Sequence, residues 1–336
     1  MIAHNEGFIG SIMKKLSPNL VEIINILSDG GYHDGDTIGS KLNITRSAVW
    51  KFIKKLDNYG IKLSSIKGKG YALLQPLILL NENYLKKALT GQNIDIEVFE
   101  SIISTNEYLN NFIGATRVKI CLAEHQTGGL GRLGRSWHSP FGQNIYLSCL
   151  YPFAKDISEL VGLSLVVGLA IITTLKSLNL SNRLLLKWPN DILYEDKKLC
   201  GNLIKIQAET NGLSYAIIGI GINVNMADDQ QNINQLWISL QKILGKNINR
   251  NQLCVILINN LMSYLDKFNK QGFSSFTKEW EEADGLLNKK ISLQTMDKII
   301  TGYARGINAQ GNLLIETEDN SVNSYSSGDT SVLKSQ

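Results

Sequence analysis

The segment Gly128-Gly129-Leu130-Gly131-Arg132-Leu133-Gly134-Arg135-Ser136-Trp137 sets two arginines among closely spaced glycines. Such a stretch can fold its backbone N–H groups and guanidinium groups around an anion. Glycines 129, 131 and 134 spell GxGxxG, but a dinucleotide fold needs a helix to start there. Trp137-His138-Ser139-Pro140-Phe141-Gly142 follows instead, and that run cannot continue as a helix. A phosphate-binding GxxxxGK[ST] loop nearly fits at Gly129, Gly134, Arg135 and Ser136, with arginine in place of lysine and again no helix after it. Both named motifs fail on context. The blander alternative is a flexible surface loop.

Three further segments carry chemistry-bearing residues. Lys187-Trp188-Pro189-Asn190-Asp191, followed by Lys197-Lys198-Leu199-Cys200-Gly201, places cations and a carboxylate at a strand end and in the hairpin after it. Ile218-Gly219-Ile220-Gly221-Ile222-Asn223-Val224-Asn225 alternates glycines along a strand, as where something must approach the backbone closely, or where a core strand twists or bulges. Ser104-Thr105-Asn106 taken alone is a helix N-cap. The histidines at 4, 33, 125 and 138 have no metal-ligand spacing, and the chain shows no Ser-His-Asp or Cys-His nucleophile arrangement.

These segments need elements to hold them. From about residue 82 to 275 helices alternate with apolar strands, among them Lys119–Ala123, Ile145–Leu150, Leu184–Trp188 and Ala216–Ile222, which predicts an α/β or α+β domain. The uncharged run of 16 residues from Leu160 to Leu175 is short for a membrane span and suits a buried helix. After about Trp280, short strands at Lys290–Gln294, Ile299–Ala304 and Asn312–Glu316 alternate with turn residues and predict a small β-barrel.

The N-terminal part reads differently. Ser17-Pro18 starts a helix that Gly30-Gly31 ends, a short helix spans about Thr37 to Leu42, and Thr45 caps a third. Val49, Phe52, Ile53 and Leu56 give that third helix one buried face. Strands at Ile61–Leu63 and Tyr71–Leu73 flank the turn Lys67–Gly70, completing a winged helix-turn-helix. Residues 1–80 hold 10 Lys and Arg against 6 Asp and Glu, whereas the other 256 residues are balanced at 24 each. Residues 41–70 alone carry eight basic side chains and one acid, Asp57. A basic patch confined to one segment suits a phosphate backbone, although such a run is also what a solvated helix face looks like. Candidate DNA contacts are Thr37, Thr45, Arg46, Ser47, Trp50, Lys51, Lys54 and Lys55, with Lys67 and Lys69 on the wing.

The hydrophobic fraction of 43% and charged fraction of 19% fit a globular protein of two or three domains. Four cysteines without CxxC spacing read as free thiols in a reducing compartment, and the N-terminus shows no signal-peptide pattern. The expected location is the cytoplasm, with no membrane partner.

Taken together, STN at 104–106, AEHQTGGLGRLGRSWHSPFG at 123–142, KWPND with KLCG at 187–201, and GIGINVN at 219–225 resemble the biotin–protein ligases, specifically the bifunctional members that also repress the biotin operon. The resemblance covers nearly the whole chain. It implies an α+β protein of three units: a winged helix-turn-helix at 1–80, a mixed-sheet ligase domain of class II synthetase type at 81–275, and an SH3-like barrel at 276–336. It implies that Ser104, Thr105, Asn106 and Gln126 line a biotin pocket, with Leu130, Gly131, Gly219 and Gly221 giving backbone contact or room. Arg132 and Lys198 would meet the biotin carboxylate and the α-phosphate, with Lys187 and Asp191 beside them. Gly129, Gly134, Arg135, Trp137 and Asn223 would serve ATP and the adenylate. Biotin would be both substrate and, as its adenylate, corepressor. Mg²⁺ would come with ATP and not from a protein cluster. The implied partners are a biotin carboxyl carrier protein, operator DNA, and a second copy of the chain when ligand or DNA is bound. Two loop arginines common in the family are Leu130 and Leu133 here, and Cys200 stands where a small residue is usual. A lipoate–protein ligase shares the fold and reaction type, but GRLGRSW and KWPND favour biotin. A regulator that senses ligand without catalysis is disfavoured by Arg132, Asp191 and Lys198.

Overall fold

The computed structural model describes residues 16–180, 183–208, 213–227, 233 and 235–333; His4 lies outside them. The chain opens with helices α1 (Pro18–Leu27), α2 (Gly35–Leu42) and α3 (Arg46–Asp57), followed by the hairpin β1 (Leu63–Ile66) and β2 (Gly70–Leu73). Leu20, Ile23, Ile24 and Leu27 of α1 bury against Ile38, Val49, Ile53 and Leu56. Each fully buried aliphatic side chain contributes roughly 1.5–3 kcal/mol, which is what holds so small a unit together. Ser17 stands at the N-cap of α1 with Pro18 after it, but its hydroxyl makes no capping bond. Helix α2 begins two residues before Thr37, because the Asp34 carboxylate accepts from the N–H groups of Asp36 and Thr37. Asn43, left-handed at φ 54°, ends α2, and the Thr45 hydroxyl caps α3 at Ala48 N. The first wing strand lies two residues later than Ile61–Leu63. Gly60 turns at φ 71° and Ile61 N still donates to Leu56 O, so Ile61 stays in the core and cross-strand pairing starts at Leu63 with Leu73.

The central unit comprises α4 (Glu82–Ala88), β3 (Ile94–Ile102), α5 (Thr105–Leu109), β4 (Val118–Gln126), β5 (Ile145–Phe153), α6 (Leu163–Lys176), β6 (Leu184–Lys187), β7 (Asp191–Tyr194), β8 (Lys197–Ala208), β9 (Ser214–Ile222), α7 (Leu240–Leu244) and α8 (Arg250–Gln271). Its seven strands lie in the order β3-β4-β5-β9-β8-β7-β6, parallel between β3 and β4 and antiparallel elsewhere. The uncharged run forms α6, which is buried on nearly every side between the sheet and α8. Helix α9 (Thr277–Ala283) packs its buried Trp280 against this layer, touching α6 and β6.

The third unit is an antiparallel sheet of β10 (Lys290–Gln294), β11 (Ile299–Ile307), β12 (Leu313–Glu316), β13 (Val322–Tyr325) and β14 (Asp329–Val332), in the order β13-β12-β11-β10-β14. The last two strands carry few apolar residues, so alternation alone did not mark them.

The segment joining the first two units is pinned to the second. Arg250 is 1% exposed; its Nη1 donates to Glu124 Oε2 at 2.6 Å and its Nη2 to Ile78 O at 2.8 Å. The other Glu124 oxygen accepts from Leu80 N. A buried ion pair is tolerable only with its remaining valences filled in this way.

Candidate active site and nucleic-acid interface

Ser104 caps α5, accepting from Glu107 N, and so delivers Thr105 and Asn106 into the sheet face beside β4, β5 and β9. Thr105 donates to Gln126 Oε1 from its N–H (2.9 Å) and its hydroxyl (3.1 Å), and Gln126 Nε2 donates to Ser139 Oγ at 3.2 Å. The Ser148 hydroxyl lies 2.7 Å from Thr105 Oγ1 and 2.6 Å from Asn106 Oδ1, and is wholly buried. Ser148 and Gly219 are opposite each other across β5 and β9. A Cβ at Gly219 would stand 2.6 Å from Asn106 Oδ1, and one at Gly221 would stand 2.4 Å from the Trp137 ring. The alternate glycines are therefore required by close approach. The result is a buried polar cluster whose hydrogen-bonding groups are fixed in advance.

The glycine loop closes on itself. Gly131 N donates to Arg135 O at 2.7 Å, Trp137 N donates to Gly129 O at 2.8 Å, and Leu130 bridges Ser136. Leu133 sits at its tip with φ 54° and 68% exposure. Leu130 is also exposed. Trp137 packs its ring against Gly221 and Gly201, with Lys198 Nζ 5.4 Å from the ring centroid.

Lys198 Nζ and Asp191 Oδ1 form an ion pair, and Lys187 faces Asp191 across the β6–β7 hairpin. Burial pulls the Lys187 ammonium below its ordinary pKa, opposed by Asp191. Burial likewise lowers Arg132, opposed by Asp329 and Asp191. Partly desolvated cations of this kind act more strongly on a nearby negative charge than fully solvated ones. Asn223 is buried; its Nδ2 donates to the carbonyls of Lys198 and Ile238, tying the start of β8 to the segment before α7. The buried Trp137 Nε1 makes no hydrogen bond, and Arg132 Nη1 has only a long ion pair, 3.8 Å from Asp329 Oδ1, so one donor stands unmet and a second is loosely held. Cys200 is buried in β8, and burial pushes its thiol well up. Among the described residues no group of three His, Cys, Asp or Glu side chains could hold a metal ion.

Sequence reasoning singled out the glycine loop, the lysines and the STN cap, and the fold gathers them around one sheet face. It missed Ser148, Ser139 and Asp329. A lone serine inside the apolar run of β5 was the available signal for Ser148. Nothing local marks Asp329, whose partners lie almost 200 positions earlier.

On the first unit, Arg46, Ser47, Trp50, Lys51, Lys54, Lys55, Lys67 and Lys69 are all exposed. Lys54 Nζ lies 4.2 Å over the Trp50 ring, and Arg46 Nη1 donates to Asp36 Oδ2 at 3.0 Å. The Thr37 hydroxyl donates to Asp34, and Thr45 is occupied in its cap, so their side chains are committed within the motif.

Residues 98–223 match the Biotin/lipoate A/B protein ligase family, residues 20–72 an HTH domain, and residues 286–333 the biotin protein ligase C-terminal domain. The chain is 36% identical over 314 residues to the bifunctional ligase/repressor BirA of Escherichia coli (strain K12), covering 93% of this chain and 96% of that one. It is 28% identical over 318 residues to the protein of the same name from Bacillus subtilis (strain 168), covering 91% and 96%. A solved biotin protein ligase from Aquifex aeolicus, in complex with biotin and ATP, matches with a TM-score of 0.61 at 29% identity, over 72% of this chain and 99% of that one. A winged helix joined to a ligase fold is thus the class the architecture defines, and the chain belongs to the family of bifunctional biotin–protein ligase/repressors.

Proposed function

We propose that the central unit condenses biotin with ATP and passes biotin to a lysine of a biotin carboxyl carrier protein, and that the winged helix carries the product's signal to operator DNA. The observation that carries this reading is a set of donors and cations without close partners, the unbonded Trp137 Nε1 beside Lys198 and the loosely paired Arg132 Nη1, on the same sheet face as the Thr105–Asn106–Gln126–Ser148 cluster. A biotinyl-adenylate brings a ureido ring for the cluster and phosphate oxygens for the donors.

A carboxylate is a poor acyl donor. Its oxygen attacks the α-phosphorus of ATP, the bond to pyrophosphate breaks, and a mixed anhydride forms. Negative charge gathers in that transition state, where Lys198 and Arg132 oppose it. Mg²⁺ brought with ATP would supply further positive charge to the phosphates. The acceptor amine then attacks the acyl carbon, AMP leaves with the bonding pair, and the new amide nitrogen loses a proton. No enzyme nucleophile is needed. Water must be kept out between the two steps, which is the work of the glycine loop.

Under this reading the three functional units are 1–80, 81–275 and 276–336. A single winged helix reads a short half-site, so repressor-grade affinity calls for a symmetric pair, and the adenylate would favour that pair. Four buried free cysteines suit a reducing, cytoplasmic setting. The test is incubation with ATP, labelled biotin and a biotin carboxyl carrier domain. Label on the carrier's lysine is expected; none on the carrier, with none retained by the protein, would overturn the reading.

A further inference from the structure

Arg132 and Arg135 point from the central unit toward a strand of the third. Asp329 opens β14, with Oδ1 3.8 Å from Arg132 Nη1 and Oδ2 paired with Arg135. Its carboxylate is 19% exposed and the Arg132 side chain 22%. Placement of that carboxylate is not left to a flexible end. Asp329 pairs with Gln294 across β10 and β14, and Gly328 before it turns at φ 142° where a Cβ would come within 2.6 Å of Leu293. The next residue, Thr330, is buried and donates from Oγ1 to Trp188 O at 2.8 Å. Trp188 in turn donates from Nε1 to Gly311 O at 3.0 Å. The third sheet is thereby seated on the Lys187–Asp191 turn, and Asp329 is carried to the loop by that seating.

The loop's own backbone bonds, Trp137 N to Gly129 O, Gly131 N to Arg135 O and Arg135 N to Arg132 O, shape its main chain and leave the arginine side chains to be oriented by other groups. Its cationic side chains are oriented from outside, by one carboxylate that meets both. We propose that Asp329 is a positioning residue of the ligase: a latch through which the C-terminal sheet holds the arginine-bearing loop closed over the adenylate. The inference rests on the ligase reading above and assigns the third unit a direct part in retaining the intermediate. An unlatched loop still contains its arginines, so adenylate still forms, but it escapes before an acceptor lysine arrives.

The experiment uses the full chain with Asp329→Asn, Asp329→Ala and Asp329→Glu. Two rates are read. One is tryptic cleavage after Arg132 and Arg135, followed by mass spectrometry without substrates and with biotin plus ATP. The other is release of preformed biotinyl-adenylate, followed by chase with unlabelled biotin and ATP. Asp329→Asn should speed both about tenfold, the order that loss of a partly buried charge-assisted contact supplies. Asp329→Glu should recover most of the protection. Melting temperature should stay near that of the parent. Parental cleavage and release rates in Asp329→Asn overturn the latch. So does a variant that is cut faster everywhere with a much lowered melting temperature, since that is loss of fold. If the parent makes no adenylate, the ligase reading fails, while the cleavage comparison without substrates still reports on the latch.

Discussion

Lys198 Nζ lies 2.8 Å from Asp191 Oδ1, with both side chains about one-sixth exposed, at the start of β8 and the start of β7. The pair is held on antiparallel strands joined by a tight hairpin, which keeps the ammonium beside the carboxylate. Lys187 stands opposite Asp191 on the other side. Lys198→Ala should therefore leave Asp191 a cation and leave the fold intact, while adenylate formation falls about 10²- to 10³-fold, as for loss of one preorganised electrostatic partner. Pyrophosphate release at the parental rate would remove Lys198 from the reaction.

Burial, and next the charge of His138, hold the His125 imidazole below its ordinary pKa. The ring also shares a 3.0 Å hydrogen bond between Nδ1 and Ser101 Oγ. The folded chain resists a proton that the unfolded chain accepts near about pH 6.5. The stability tied to this residue is thus fully present above that pH and is lost as pH falls through the lower, folded-state value. His125→Gln keeps a polar partner for Ser101 and removes the titration. Its melting temperature should fall less than the parent's between about pH 7.5 and about pH 5.5. An equal fall in both proteins would place the acid sensitivity elsewhere.

Much of this was readable in the sequence, and the reason differs by element. The helix caps at Thr45 and Ser104, and the breaker at Pro189, are local physics, so the elements they bound fell within a few residues of expectation. The alternate glycines at 219 and 221 were legible as a demand for close approach, though not the identity of what approaches. Asn106 and the Trp137 ring come from segments more than 80 positions away. The β1 strand was misplaced because Ile61 reads equally well as strand or as the buried residue that follows a helix, and the tertiary core took it. Asp329 was invisible for a similar reason, and Ser148 showed only as a lone serine in an apolar run. Each is an ordinary polar residue until a strand register sets it against a partner.

Lys67 and Lys69 are exposed on the turn between β1 and β2, where a wing would lie along a phosphate backbone. Replacing each by Ala should weaken binding to related and unrelated duplexes alike. The slope of log affinity against log salt should become shallower by about 1 for each lysine removed. Trp50→Ala, on the outer face of α3, should instead lower preference among sequences selected from a random duplex library. Filter binding or anisotropy over a salt series separates the two. An unchanged slope for the Lys67/Lys69 double variant would detach the wing from the DNA.

Phe141 joins the two activities physically. It belongs to the run that follows the glycine loop, yet its ring is buried in the core of the winged helix, 5.1 Å from the ring of Tyr59 and beside Leu77. Four residues earlier Trp137 packs on Gly221, and between them Ser139 meets Gln126 while Pro140 O accepts from Tyr146. Gly142 N donates to Glu124 O, and the Glu124 side chain is the one that holds the linker at Leu80 and Arg250. A ligand that shifts Trp137 thus acts on a stiff strut whose far end lies inside the DNA-binding unit. Phe141→Ala should cost roughly 3–5 kcal/mol of stability in that unit. It should also shrink the gain in DNA affinity that biotin plus ATP confers, because coupling needs an element both sites bias. Phe141→Leu, which keeps most of the apolar contact, should fall between the two. The measurement is DNA affinity with and without biotin plus ATP for all three proteins, alongside their melting temperatures. If Phe141→Ala keeps the whole ligand-dependent gain while its stability drops, the ring is only core, and the signal reaches the winged helix by another route.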